Sequence, residues 1–350
     1  MKANSKFLIS SLAISIFASI LFSPNSQASL GGVEDYSNPR IVPMYNELTG
    51  DWVAYSAFLY SPRILFTVAH GEYYFDGNGN KINRSPSNTY AGLPNSKVSY
   101  NSPRIKVIKR FISNTYRFNN ATLGDFAVFV LEKDLANVES VPLLTPEIEA
   151  ELVANNAEVR LHGYGGYKDI CAEGQQVPCA SNFSDRSPVP RMLTAKLYTL
   201  DQIGKIVGYE RPQLKGSLTY FRAGKESLCG GDSGGSNTVI YKGKLLYLSV
   251  TGNGMNGYAC GFSSYFDGVG GILYTTPVYE HLDIIKEAED FVAEQLKLEA
   301  AANPKPTVSA SAAASNKVAK KITITCFKGK SIKKVTAQSP KCPVGYKKKI

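Results

Sequence analysis

The chain has 350 residues, of which 43% are hydrophobic and 19% are charged, and this composition excludes a disordered or fibrous protein. The formal net charge of +10 arises at the end of the chain, because the last fifty residues carry 12 of the 39 basic residues and no acidic residue. The remaining 27 basic residues (39 minus 12) face 29 acidic ones, which excludes a general nucleic-acid-binding protein.

Residues 1–28 predict a secretory signal peptide. Lys2 and Lys6 precede an apolar run at 7–22, and Ser26-Gln27-Ala28 fits the small-residue cleavage site. The run is short for a bilayer and no other segment can span one, so we expect a secreted protein and not an integral membrane protein. An uncleaved anchor is the alternative. Export to an oxidising compartment makes paired cysteines the default.

Residues 29–301 predict one domain of the all-β class. Short apolar or alternating runs, separated by Gly, Pro, Asn and Ser, predict strands. These runs lie at 52–59, 64–68, 105–108, 126–131, 159–162, 192–200, 217–221, 237–241, 245–250 and 272–275. Their regular spacing favours a sandwich or a pair of barrels. Apolar residues at helical spacing over 278–301 then predict one amphipathic helix that closes the domain.

The end of the chain predicts two further pieces. Residues 302–320 are rich in Ala, Ser, Pro and Lys, which is typical of a flexible linker. Residues 321–350 form a basic tail with a short strand at 322–325, after which Cys326 and Cys342 bracket a basic loop. The tail is either a solvated, disulfide-closed appendage or a segment that contacts an anionic cell surface through its lysines.

Three short segments carry the chemistry of a serine hydrolase. The heptapeptide CGGDSGG at 229–235 contains Ser233, whose hydroxyl needs a neighbouring base and oxyanion donors to act as a nucleophile. His70 ends the segment TVAH after an apolar run, where a general base can be held. Asp125 opens an apolar strand, where its carboxylate can accept the imidazole N–H. Taken singly, His70 fits a structural histidine at least as well, and Asp125 fits a turn residue better.

Together these segments resemble the trypsin/chymotrypsin-like serine proteases over about residues 29–300, in the family's order of His70, Asp125 and Ser233. The resemblance implies two six-stranded antiparallel β-barrels, split near residue 145, with the active site between them. It implies that Ser233 is the nucleophile, His70 the general base and Asp125 its orienting group. The backbone N–H groups of Gly231 and Ser233 would form the oxyanion hole. Substrates would be proteins or peptides, and nothing indicates a cofactor or a metal.

The resemblance also implies an activating ion pair between Asp232 and a new N-terminal amine. Ser29 is the first candidate, since the predicted signal cleavage exposes it and His70 follows it by 41 positions, the separation that the family uses. Export alone would then release the active amine. Arg40-Ile41 is the rival cleavage site, but it leaves few residues before His70.

By position, Ser227 occupies the family's specificity site. A neutral residue there argues against Lys or Arg before the cut, although a shift of one residue would place Glu226 at the site. Gly252 and Gly254 lie in the stretch that would bind substrate and line the pocket. We expect a medium or large apolar residue before the cut. The family's Cys after the histidine is absent, because Gly71 stands there.

The six cysteines pair by locality in three bridges, although sequence alone does not fix the connectivity. The expected pairs are Cys171–Cys179, Cys229–Cys260 and Cys326–Cys342.

Two other classes of protein remain open. A non-catalytic binding protein on a protease fold is the first. The second is an α/β-hydrolase-type esterase, because residues 231–235 also satisfy G-x-S-x-G. That fold requires its histidine after the serine, and His281 is the one histidine that follows Ser233.

Overall fold

A computed structural model of the chain describes residues 32–47, 49–75, 81–83, 88–99, 101–116, 124–166, 186–208, 215–222, 228–252, 271–302, 322–337 and 339–348. The described residues fall into two units that divide after Lys297. The predicted signal peptide at 1–28 lies outside them. Within the described part of the chain, no helix is long and apolar enough to cross a bilayer.

The first unit is built mainly from strands. In chain order they are β1 (Val33–Glu34), β2 (Ile41–Asn46), β3 (Tyr55–Ser61), β4 (Ile64–Thr67), β5 (Tyr73–Phe75), β6 (Lys81–Asn83), β7 (Thr89–Gly92), β8 (Arg104–Ile112), β9 (Ala127–Leu131), β10 (Glu158–Gly163), β11 (Arg191–Tyr198), β12 (Leu218–Arg222), β13 (Ser236–Tyr241), β14 (Lys244–Val250) and β15 (Gly271–Thr275). The helices described are α1 (Pro146–Ala154), α2 (Leu200–Val207) and α3 (Leu282–Ala302), with 3₁₀ turns at His70–Glu72 and Val278–His281.

A closed antiparallel barrel is formed by β2, β3, β4, β9, β8 and β7, in that order. Met44, Leu59 and Phe129 pack in one buried cluster with the other residues on their face. Phe58 and Phe66, which point the other way, pack in a second buried cluster. Because both faces of β3, β4 and β9 are buried, their sequences are nearly continuous apolar runs, which is why they were predictable.

A second, seven-stranded sheet has the order β14-β13-β10-β11-β12-β15, with β1 added against β11. Tyr247 on β14 packs against Phe58 and Phe66 of the barrel, with ring centroids 4.6 and 5.2 Å apart. One buried cluster therefore runs from the barrel into the sheet. A mostly β unit that ends in a helix is confirmed. The described strands close one barrel, whereas the expected second barrel appears among them as an open sheet.

Two predicted elements differ from the structure at one end, and a helix cap explains the first difference. The run predicted as a strand to residue 200 ends at Tyr198, because Thr199 caps α2 in a reciprocal capping box with Gln202. The predicted helix over 278–301 begins as the 3₁₀ turn and continues as α3, which buries Ile284, Ile285 and Ala288.

Several elements carried too weak a pattern to be predicted. Pro43 lies inside β2, and proline lacks the N–H that a strand ladder needs, so this barrel strand was missed. Helix α1 is short and buries Leu152 alone among its residues, so it shows little apolar periodicity.

The second unit contains a three-stranded antiparallel sheet of order β17-β16-β18, formed by β16 (Ile322–Lys328), β17 (Ser331–Ala337) and β18 (Lys347–Lys348). The Cys326–Cys342 disulfide is confirmed, with an S–S distance of 2.01 Å. The prediction of a basic loop between these cysteines was wrong, because β17 lies there and pairs with β16 along its whole length. The predicted linker falls almost wholly outside the described residues.

Candidate active site

Strand pairing brings His70 and Asp125 together. His70 follows β4 and Asp125 precedes β9, and these strands pair with Thr67 opposite Ala127. The His70 Nδ1 atom lies 2.7 Å from Asp125 Oδ2, and the His70 backbone N–H donates to Oδ1 at 3.0 Å. The Asp125 side chain is 5% exposed, against 28% for His70. A buried carboxylate thus fixes both the backbone and the ring of a histidine whose other edge remains accessible.

Gly124 makes this approach of Asp125 possible. It has φ +68, and a Cβ atom there would lie 2.5 Å from the backbone nitrogen of Tyr116. Glycine adopts this conformation without a steric penalty. Its N–H donates to Thr276 Oγ1 at 2.9 Å, so the turn before Asp125 is tied to the segment that follows β15.

Ser56 on β3 holds the loop that carries Ser233. The Ser56 N–H donates to the Ser233 carbonyl at 2.8 Å, and the Ser56 hydroxyl donates to the Gly231 carbonyl at 2.8 Å. Gly234 has φ +83, and any Cβ atom on it would overlap the Ser56 carbonyl. The glycines of the motif therefore allow the loop that carries Ser233 to lie directly on the barrel.

Asp232 is fully buried beneath this loop. Its Oδ1 accepts the Gly165 N–H at 2.7 Å, and its Oδ2 accepts the Cys229 N–H at 2.8 Å. These backbone donors stabilise a carboxylate in a desolvated position. Ser29, the predicted amine partner of Asp232, lies outside the described residues.

A cavity of about 230 Å³ brings the predicted nucleophile and base together. Its lining includes Ser233, Gly231, His70, Tyr55 and Arg186. Gly231 and Ser233, whose N–H groups are expected to form the oxyanion hole, therefore border the same cavity as His70. The Asp125 carboxylate contacts the Nδ1 atom of His70. This arrangement is suited to proton transfer from a serine hydroxyl to the His70 imidazole, which the Asp125 carboxylate orients.

The predicted specificity residues are described in part. Gly252 follows β14, and a Cβ atom on it would lie 3.7 Å from Asp125 Oδ2, which places the backbone of this stretch beside the site. Ser227 and Gly254 lie outside the described residues. Cys229 is disulfide-bonded, and its expected partner Cys260 also lies outside them, as do Cys171 and Cys179.

The other two histidines do not border this cavity among its described lining residues. His281 is 1% exposed, and its ring stacks on Phe126 with centroids 4.6 Å apart. Burial lowers the pKa of His281 to about 4, against smaller raising effects from Asp283 and Asp125. His162 is also 1% exposed and lies 2.9 Å from the carboxylate of Asp35.

Sequence reasoning missed the residues that hold the site together. Tyr55, Ser56, Glu72 and Arg186 contact the His70 turn or the Ser233 loop, or line the cavity, yet none belongs to the motifs. A signal existed for Ser56, since it is a polar residue inside an otherwise apolar run before His70. Arg186 gave none, because it lies far from the motifs in sequence and reaches them through a bridge to Gly166, whose N–H donates to the Gly230 carbonyl at 3.0 Å.

No protein-family model matches this chain, and a search of curated proteins finds no significant match.

Proposed function

We propose that the protein is a secreted serine endopeptidase of the trypsin/chymotrypsin type. One observation carries the proposal: Ser233 and His70 line one cavity, and His70 Nδ1 lies 2.7 Å from the buried Asp125 carboxylate. The closed six-stranded barrel and the adjoining antiparallel sheet support the proposal of a two-barrel fold.

In this mechanism the Ser233 Oγ attacks the carbonyl carbon of a peptide bond while His70 takes its proton. Asp125 keeps the proton-bearing Nδ1 atom directed away from the serine and stabilises the imidazolium that forms. The backbone N–H groups of Gly231 and Ser233 stabilise the oxyanion. His70 then gives its proton to the leaving amine, and water releases the acyl group from Ser233 by the same steps. The residues of this chain need no cofactor for these steps.

We propose Ser29 as the activating N-terminus. Val33 pairs with Met192 in the seven-stranded sheet, so the chain just after Ser29 already lies on this sheet. Gly165, whose N–H donates to Asp232, follows β10 of the same sheet. Ile41 is fully buried and pairs with Phe58 inside the barrel. Cleavage before Ile41 would put a charged amine in a barrel strand, so the Ser29 site is favoured. Active protein that begins at Ile41 would contradict this choice.

The substrate is proposed to be a protein or peptide with an apolar residue before the cut. This follows from the neutral Ser227 at the expected base of the pocket, and it makes Lys or Arg a poor choice at that position.

The basic tail is proposed to contact an anionic cell surface. Seven lysines and no acidic residue lie among its described positions, at 328, 330, 333, 334, 341, 347 and 348. Attraction of this kind weakens with salt.

The esterase alternative is disfavoured by two features. Its base would be His281, which is buried and stacked on Phe126. Its fold would need a parallel sheet, whereas the strand pairs described are antiparallel. A non-catalytic binding protein would need no accessible pair of serine and histidine, and chemical labelling separates it from the endopeptidase.

The proposal is tested by labelling with a serine-directed fluorophosphonate. The wild-type chain should be modified at Ser233, and both Ser233→Ala and His70→Ala should abolish the labelling. Ser99→Ala, which changes an exposed serine, is the matched control and should label normally. Labelling that survives Ser233→Ala, or no labelling of wild-type protein that begins at Ser29, would contradict the proposal.

A further inference from the structure

We infer that Tyr55, Glu72 and Arg110 form a buried brace that positions the His70 turn. The inference rests on the proposed function, since that function gives the turn its task. None of the three residues belongs to the motifs from which the site was predicted.

The three side chains are joined by direct polar contacts. The Tyr55 hydroxyl donates to Glu72 Oε1 at 2.7 Å, and Arg110 Nε lies 2.5 Å from Glu72 Oε2. Tyr55 is 4% exposed, and the side chains of Arg110 and Glu72 are 7% and 3% exposed. The Glu72 carboxylate thus accepts a hydrogen bond at Oε1 and forms an ion pair with the Arg110 guanidinium at Oε2, which offsets the cost of burying its charge.

The barrel fixes the far end of the brace. Arg110 lies on β8, and its Nη2 donates to Thr89 Oγ1 on β7. Its guanidinium also lies over the Phe129 ring on β9, 5.2 Å from the centroid. Contacts with two neighbouring strands leave Arg110 little freedom to move.

The near end of the brace is the turn that carries His70. Glu72 ends the 3₁₀ turn that His70 begins, and its N–H donates to the Ala69 carbonyl at 3.0 Å. The Tyr55 ring packs on Gly71, where a Cβ atom would lie 3.3 Å from the ring. The chain has no cysteine before Cys171, so noncovalent contacts alone fasten this turn to the barrel.

A role in positioning follows from how the turn holds His70. The backbone N–H and the ring of His70 both bond to Asp125, so a displaced turn lengthens both bonds. Tyr55 is itself part of the cavity lining and immediately precedes Ser56, which holds the Ser233 loop. A buried ion pair gives little net stability compared with apolar residues of the same shape, so stability alone gives no reason for the Glu72–Arg110 pair.

The test uses the full chain with Tyr55→Phe and Glu72→Gln. Tyr220→Phe is the matched control. It also removes a buried tyrosine hydroxyl, which lies 2.8 Å from Ser249 Oγ, but both residues belong to the seven-stranded sheet and not to the barrel. Two readouts are taken on variants that keep the wild-type melting temperature within a few degrees. They are the rate of fluorophosphonate labelling and the NMR resonance of the His70 Nδ1–H proton, assigned by its loss in His70→Ala.

We expect Tyr55→Phe and Glu72→Gln each to slow labelling about tenfold, the size of one lost hydrogen bond. Each should also move the Nδ1–H resonance upfield, since its bond to Asp125 lengthens. The double variant should cost little more than either single one, because both break the same brace. Tyr220→Phe should change neither readout.

The two proposals fail in different ways. If wild-type protein is not labelled, the proposed function fails, whereas the Nδ1–H resonance still reports on the brace. If wild-type protein is labelled and both variants match Tyr220→Phe in rate and resonance, the brace is overturned. Should Tyr55→Phe not fold, Glu72→Gln and Gly71→Ala, which presses on the same ring, decide the question by the same readouts.

Discussion

At the scale of single residues, His281 couples folding to pH without belonging to the cavity. Its pKa is lowered from 6.5 to about 4, chiefly because burial disfavours the charged ring. A depressed histidine pKa means that the unfolded chain binds a proton more readily than the folded one. The stability that His281 confers is therefore complete above pH 6.5 and is lost as the pH falls toward 4.

His281→Phe should remove this loss, because phenylalanine keeps the stack on Phe126 and carries no proton. Between pH 7 and pH 4, the free energy of unfolding of wild-type protein should fall by about 3 kcal/mol more than that of the variant. Urea denaturation at both values measures this difference. Parallel losses in the two proteins would show that the buried ring is not the source.

The motif residues were predictable because their chemistry is local in sequence. Ser233, with glycines on either side, and His70 and Asp125, next to apolar runs, are visible without a structure. Arg110 was not, since it meets Glu72 only when β8 and the His70 turn come together in the barrel. Side chains that act through long-range strand pairing leave no pattern in the sequence.

At the scale of elements, the segment 32–38, the N-terminal strap, lies against the second sheet. Its Asp35 backbone N–H donates to the Pro190 carbonyl at 3.0 Å, and Asn38 Nδ2 donates to Ser236 Oγ at 3.3 Å. The hydrogen bond from His162, helped by Ser37, holds the pKa of Asp35 well below its ordinary value. This stabilisation is present above pH 3.8 and is lost as the pH falls below it.

Asp35→Asn should loosen the strap. At pH 7 we expect the free energy of unfolding to drop by about 1–3 kcal/mol, the cost of losing a hydrogen bond to a charged group and leaving His162 poorly paired. The difference should shrink below pH 3.8, because there Asp35 takes up a proton in the unfolded wild-type chain while it remains ionised in the folded one. Asp290→Asn, on an exposed turn of α3, is the control. An Asp35→Asn effect no larger than that of the control would mean that the strap is held by its backbone pairing alone.

At the scale of the whole molecule, the sequence predicted a mainly β architecture better than it predicted which sheets close into barrels. Strands buried on both faces, such as β9, stand out as apolar runs. Closure of a barrel depends on which edge strands pair with each other. One of these strands, β2, was not predicted because it contains Pro43. In the tail, the lysines of β17 obscured a strand whose pairing with β16 is complete. A run of lysines indicates that a segment is exposed to solvent, but it does not show whether the segment pairs as a strand or in which register.

The tail should act separately from the proposed active site. Truncation after Ala301 should leave Ser233-dependent labelling unchanged and release the protein from cells, as high salt should do for the full chain. Substitution of Lys333, Lys334, Lys347 and Lys348 by Gln, with the Cys326–Cys342 disulfide intact, separates charge from fold. A truncated chain that stays associated with cells would refute retention by the tail.

The measurement that tests the central claim most directly is digestion of a diverse peptide mixture, analysed by mass spectrometry. Protein that begins at Ser29 is compared with its Ser233→Ala form. We predict cuts that depend on Ser233, with apolar residues before them and few after Lys or Arg. Identical cuts in both samples, or none in either, would contradict the assignment of Ser233 and His70 as the groups that hydrolyse peptides.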